Sequence, residues 1–218
     1  MKIATCLSGQ APRSIELPCI GKNIIDNIIV PLNSDLYISL NSPNSNEVNK
    51  TKNILKRLIS NTSYIKLLDV YKHDNNYTSQ KCSYSVAGRP QAEGFIRCYN
   101  KIKHNKIDYA WIFRTRPDLY IPIKFVSLPH PKIFENFMIN MNVNYNGKGM
   151  TDTFSILPYK TSQDIYLNKY WKEICMQNCS KCKRVPEVNL FHLYERYNIK
   201  VLDLRNVGIK NGKSTHFK

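Results

Sequence analysis

The chain is written as short apolar runs separated by polar stretches, and the runs follow two periodicities. Compact apolar runs at Lys2 to Leu7, Asp35 to Leu40, Tyr64 to Val70, Tyr109 to Phe113, Phe134 to Met141, Thr151 to Pro158 and Ile199 to Leu204 predict strands. Between them apolar residues recur at helical spacing. Ile15, Ile20, Ile24, Ile25, Ile28 and Ile29 mark one helix, and Ile54, Leu55, Leu58 and Ile59 form the inward stripe of a second over Glu47 to Ile59. Gln91 to His104 is a third. Ser162 caps a fourth that reaches Ile174 and buries Ile165, Leu167, Tyr170 and Trp171, and Pro186 opens a fifth that ends at Tyr197. The polar stretch Tyr71 to Pro90, with its Gly88-Arg-Pro90, reads as a long loop placed like a substrate lid. Strands alternating with helices predict an α/β chain with a mainly parallel central sheet, taken as one domain over residues 1–218 with a basic tail at 206–218.

The chain is organised around Asp108 to Ile121. There an aromatic and apolar strand ends abruptly in Arg114, Arg116, Pro117 and Asp118. In open α/β sheets ligands bind outside the carboxyl ends of the strands, so this is where a site is expected. Two guanidiniums suit a diphosphate, and a carboxylate beside them suits a divalent metal or a sugar hydroxyl. The competing reading is an ordinary salt-bridged strand end. The first strand closes in Ser8-Gly9-Gln10, with Arg13 soon after. Gly9 would let backbone approach a ligand closely and Gln10 would hydrogen-bond a base or ribose, or the three residues form a plain tight turn. Gln91, Glu93 and Arg97 sit where the first turns of their helix could face the same place, or they line a solvated face. Neither Gly-x-Gly-x-x-Gly nor a P-loop is present, so a dinucleotide enzyme and a P-loop NTPase are unsupported.

Charge sharpens the picture. Lys+Arg 32 against Asp+Glu 16 leaves a formal +16, which favours polyanionic partners such as nucleotide diphosphates, nucleic acid or an anionic membrane surface. The cations are scattered rather than blocked. A nucleic-acid-binding or nucleic-acid-processing domain, with 14 Tyr available for stacking, is therefore the second reading rather than the first. The opening apolar stretch is short for a signal peptide and no window is long enough to span a bilayer, so a soluble cytoplasmic protein with reduced thiols is expected. Cys175, Cys179 and Cys182 have the spacing that holds an iron–sulfur cluster in radical enzymes; a structural zinc completed by His192 and plain free cysteines are the alternatives.

Taken in order, Ser8-Gly9-Gln10 with Arg13, Tyr109-x-Trp-x-x-Arg114-x-Arg116-Pro-Asp118-Leu, Asp152 in an Asp-x-Phe segment, and Pro186-Glu187 opening a late helix resemble the small GT-A-type glycosyltransferases, including forms encoded by large DNA viruses. The resemblance implies a GT-A-like, Rossmann-like domain. It also implies transfer of a sugar from a UDP- or GDP-sugar donor to a hydroxyl of a glycan or glycoprotein acceptor, in the host cytoplasm if the protein is viral, with no nucleic acid involved. Carried onto this chain, Ser8, Gly9, Gln10, Arg13, Arg97, Arg114, Arg116 and Asp118 would bind the donor. Asp152 and Glu187 would be the candidates for the catalytic base. Members of the group usually place an Asp-x-Asp pair on Mn²⁺ or Mg²⁺. Here that place reads Arg116-Pro117-Asp118, which leaves Asp118, with His216 downstream, as the metal candidates and the arginines as an alternative to metal.

Overall fold

A computed structural model describes residues 1–11, 23–42, 44–59, 62–72, 83–121, 123–140, 154–164, 198–204 and 211–212. Strands β1 (Lys2–Gln10), β2 (Asp35–Ser42), β3 (Ile65–Lys72) and β4 (Tyr109–Thr115) are parallel neighbours in the order β3-β2-β1-β4. The sheet continues through β7 (Phe154–Pro158), β6 (Phe137–Asn140) and β8 (Lys200–Asp203), with β7 antiparallel to both its neighbours and β8 parallel to β6. A two-stranded ribbon pairs β5 (Lys124–Phe125) with β9 (Asn211–Gly212), which lies inside the stretch expected to be a basic tail. The mainly parallel α/β sheet expected from the sequence is thus observed, with β7 reversed.

The helices follow the strands they return from. A helical run, α1, takes in the π-turn Ile25–Ile29 and Val30–Leu32. Pro31 has no N–H to bond the carbonyl four residues back, and the ladder shifts to the wider spacing seen in Val30 N–H on Ile25 O and Ser34 N–H on Ile29 O. Helix α2 (Ser45–Leu58) is capped by Asn44, whose side chain accepts from Glu47 N–H, and buries Leu55 beside Ile59. Helix α3 (Ser83–His104) begins well before Gln91, so the end of the expected lid loop is helix, while residues 73–82 lie outside those described. Pro90 removes one helical hydrogen bond. The turns beyond it compensate by burying Phe95, Cys98, Tyr99 and Ile102 completely. Helix α4 (Tyr159–Asp164) starts ahead of Ser162, which is not its cap: the Ser162 hydroxyl donates to Tyr159 O inside the helix. The late helix from Pro186 falls outside the described residues.

Two apolar layers sandwich the sheet. On one face Ile3, Leu7, Ile38, Trp111, Phe113 and Ile156 pack under α1 and α2; on the other Ala4, Cys6, Tyr37, Ile112 and Leu157 meet α3. In the second layer Asn105 Nδ2 donates to the Tyr37 hydroxyl at 2.8 Å, Tyr37 lies 2.8 Å from the Tyr109 hydroxyl, and Tyr109 donates to Asp35 Oδ2 at 2.7 Å. The chain of hydroxyls bridges β2 and β4 across the small Ala4 of β1. Cys98 and Cys6 are free buried thiols, and burial followed by the neighbouring Cys6 thiol pushes Cys98 well above its ordinary pKa.

Burial first, then the hydrogen bonds to Tyr37 and Asp35, raise the Tyr109 pKa; burial raises Tyr37 and Tyr71 as well. Above the ordinary tyrosine value of 10.0 the unfolded chain loses these protons while the folded chain keeps them. The unfolded state then binds fewer protons, so stability falls as pH rises through that value and beyond. Tyr109→Phe should flatten this alkaline fall, and it should lower stability at neutral pH by about 1–3 kcal/mol through loss of a buried donor to Asp35. Urea unfolding at a series of pH values measures both, and an alkaline slope identical to wild type would exclude Tyr109 as its source.

Candidate active site

The face of the sheet under α3 changes character on five strands together. Cys6, Tyr37, Leu67, Ile112 and Leu157 are apolar or aromatic and belong to or pack against one cluster. Two residues on toward the carboxyl ends of the parallel strands, the same face reads Ser8, Ser39, Asp69, Arg114 and Ser155. Register makes these neighbours: Ser8 pairs with Ser39, Ser39 with Asp69, and Arg114 with both Cys6 and Ser155. A buried polar layer spanning a sheet is costly to desolvate, so it marks this edge as the candidate site.

Two close approaches build the site. Gly9 has φ +153°, and a Cβ there would lie 3.0 Å from Pro117 Cδ, so the end of β1 lies directly against the turn that follows β4. Ser8-Gly9-Gln10 is extended strand rather than a turn, and it delivers a buried Ser8 and an exposed Gln10 to the edge. On the opposite side, a Cβ at Gly94 of α3 would lie 3.0 Å from Ser39 O and 3.4 Å from Ser8 Cβ, so the helix backbone settles onto the polar layer.

The charged groups follow. Arg114 is 4% exposed, with its guanidinium 5.3 Å from the centre of the Phe95 ring. Arg116 grips Asp118 in a fork, Nε to Oδ1 at 2.9 Å and Nη2 to Oδ2 at 2.6 Å, with both side chains mostly buried. The salt-bridged strand end is therefore real, and Asp118 presents both carboxylate oxygens to a guanidinium. Arg97 donates to Glu93 Oε1 and to Asp69 Oδ2 at 3.2 Å, and lies 3.9 Å over the Tyr71 ring. Burial alone would lower its pKa, but the Glu93 hydrogen bond and the charges around it raise it above its ordinary value. Desolvation, then the Glu93 charge, pushes the Tyr71 hydroxyl up.

Sequence reasoning missed several contributors. Asn23 Oδ1 accepts from Ile121 N–H at 2.9 Å and Asn27 Nδ2 donates to Ile121 O at 2.8 Å, so α1 clamps the backbone just beyond Asp118. The signal was available: two asparagines interrupt an isoleucine-rich helical stripe. Gly94, Tyr71 and Ser39 carried no local signal. The Ser39 and Tyr71 hydroxyls are buried and have no hydrogen-bond partner among the described residues.

The structure thus brings together Ser8, Gly9, Gln10, Arg114, Arg116 and Asp118, with Arg97 on the α3 side of the same edge. Arg13, Asp152, Glu187 and His216, like Cys175, Cys179, Cys182 and His192, lie outside the described residues. Among the described residues no group of three or more His, Cys, Asp or Glu converges. Asp118 has both oxygens on one guanidinium and Asp69 and Glu93 are engaged by Arg97, so these carboxylates are held apart by arginines and make a poor donor set for Mn²⁺ or Mg²⁺, which want several hard oxygen ligands. The described edge does not fit a metal.

No protein-family model and no curated protein matches the chain. Among solved structures it is similar to the glycosyltransferase GlyE of Streptococcus pneumoniae TIGR4, with TM-score 0.47 and 9% identity over 92% of this chain and 44% of that one. The apo form of GlyE gives 0.43 and 10% over 93% and 44%. An active-site mutant of LgtC gives 0.45 and 7% over 89% and 70%. The chain spans less than half the length of GlyE. Among the described residues no helix is long and apolar enough to cross a membrane.

The Gly9 contact is open to test. Gly9→Ala should displace the Arg116-Pro117 turn and cost about 1–3 kcal/mol in chemical denaturation, since a Cβ meets a ring that β4 holds in place. Wild-type stability would mean the turn shifts freely and does not depend on β1.

Proposed function

We propose that the protein is a glycosyltransferase that takes its sugar from a nucleotide-diphosphate donor. The observation that carries the reading is the meeting of two separate motifs at one edge: the end of β1, Ser8-Gly9-Gln10, lies against Arg116-Pro117-Asp118, above a buried layer holding Arg114. Departure of a nucleoside diphosphate concentrates negative charge on the leaving phosphate, and fixed cations lower that barrier without reorganising. Arg114 supplies a buried positive charge, and Arg116 is held in one orientation by Asp118. Asp118 then acts by positioning Arg116, and the arginines take the place that a metal and an Asp-x-Asp pair fill in the group the sequence resembles. Ser8, Gln10, Arg13, Arg97 and the orphan Ser39 and Tyr71 hydroxyls supply further donor contacts. Asp152 and Glu187 remain the candidates for taking the acceptor proton. Support for Asp152 is its position in the chain, two residues before Phe154, which pairs with Thr115 at the carboxyl end of β4. The acceptor is a glycan hydroxyl, and the whole chain works as one catalytic unit.

A thermal-shift series with UDP, GDP, dTDP and CMP and their sugar conjugates, each with and without Mn²⁺ or Mg²⁺, tests the reading. One nucleoside diphosphate should raise the melting temperature by linkage, equally well without metal. Arg116→Ala should weaken that binding by about ten- to a hundredfold, the worth of hydrogen bonds to a charged group. No shift with any nucleotide would overturn the proposal, and a shift that requires metal would overturn the role given to the arginines.

A further inference from the structure

The opposite edge of the sheet has its own chemistry. A cavity of about 430 Å³ opens there, floored by Tyr109 at the start of β4 and Pro158 at the end of β7, and walled by Pro131 and Tyr159. Its rim carries Lys2, Lys132 and Lys160, all exposed, with His130 beside them. Helix α3 ends at the same edge, because Asn105 reaches the Tyr37–Tyr109 pair below the cavity; its last turn and the residues after it add exposed Lys101, Lys103 and Lys106. Asp108 and Glu135 are the exposed carboxylates of the lining, so cations outnumber them.

An apolar side chain stands among these lysines. Ile133 is 68% exposed, in a 3-10 turn, Pro131–Phe134, that is firmly held. Phe134 packs 5.9 Å from the Trp111 ring, Trp111 Nε1 donates to Pro129 O at 3.1 Å, and the Thr161 hydroxyl of α4 donates to Glu135 O. The turn is therefore anchored from beneath while Ile133 points outward. A rigidly presented aliphatic residue beside Lys132, on an edge rich in exposed lysines, suits an interface that is anionic at its surface and apolar just below it. Nucleic acid satisfies the lysines but offers no place for Ile133, whereas an anionic bilayer satisfies both.

We infer that this amino-terminal edge of the sheet docks on an anionic membrane surface, with Ile133 entering the headgroup region, the lysines on the lipid phosphates and the cavity receiving a headgroup. Strand β4 runs from the docked edge to the candidate active site, which would face away from the bilayer by roughly the 23 Å length of seven extended residues. The inference is independent of the proposed reaction.

Co-sedimentation of the full chain with vesicles tests it. Binding should occur with phosphatidylcholine mixed with phosphatidylglycerol and be absent with phosphatidylcholine alone. Ile133→Asp, and separately Lys132→Glu with Lys160→Glu, should each lower partitioning by more than about tenfold at unchanged melting temperature. Lys72→Glu, at the other end of β3, should leave it unaltered. The inference is overturned if anionic vesicles do not bind, if Lys72→Glu weakens binding as much as the edge variants do, or if the edge variants lose retention on a single-stranded oligonucleotide while vesicles are ignored.

Discussion

The candidate site depends first on how closely two strand ends approach. Pro117 lies where a side chain on Gly9 would have to be, and that contact brings the Arg116–Asp118 fork beside the end of β1. A residue with a Cβ at position 9 would meet the ring in a backbone conformation L side chains rarely adopt. The turn is held from the far side as well, since the two asparagines of α1 satisfy both backbone groups of Ile121. Arg116 is therefore fixed by its own carboxylate, by the ring next to it and by a clamp a few residues on. Preorganisation of this kind gives a cation value in catalysis, because a mobile lysine would have to be ordered at each turnover.

A second constraint is the polar layer. Burying Arg114 and three serine hydroxyls under a helix opposes folding unless each finds partners. The sheet tolerates it because the layer is narrow: one residue pair back, the same face is apolar or aromatic, with Tyr37, Ile112 and Leu157 in one cluster with Phe95, Tyr99 and Ile102. The apolar core fills the middle of the sheet and the polar residues are confined to its end. Glycine at position 94 is what lets α3 cover both with one helix, touching Ser39 O where a larger residue would hold it off.

Most of the strands were legible because a short apolar run admits few alternatives, and Tyr109 to Phe113 ending in arginines marked a candidate site because ligands bind outside the carboxyl ends of strands in such sheets. Direction was not legible: Phe154 to Pro158 reads the same whether it runs with β4 or against it. The start of α3 was hidden because Gly88 and Pro90 look like breakers, and the burial that overrides them comes from residues far away in sequence. Asp118 illustrates a subtler loss. The sequence left open whether it pairs with Arg116 or serves a ligand beside it, and side-chain geometry shows the pair formed. Tyr71 beneath Arg97 and the pairing of Ser8 with Ser39 are long-range facts with no local trace.

The two ends of one sheet also divide the charge of the chain. At the carboxyl edge Arg116 and Arg97 are held by carboxylates and Arg114 by burial against Phe95, and such held groups suit a ligand of fixed shape. At the amino edge the cations are exposed lysines on flexible stems, which suit a diffuse anionic surface with no fixed geometry. A net charge of +16 therefore does not describe one polyanion site. The same basic composition thus presents held arginines at the candidate site and exposed lysines around the opposite edge of one sheet.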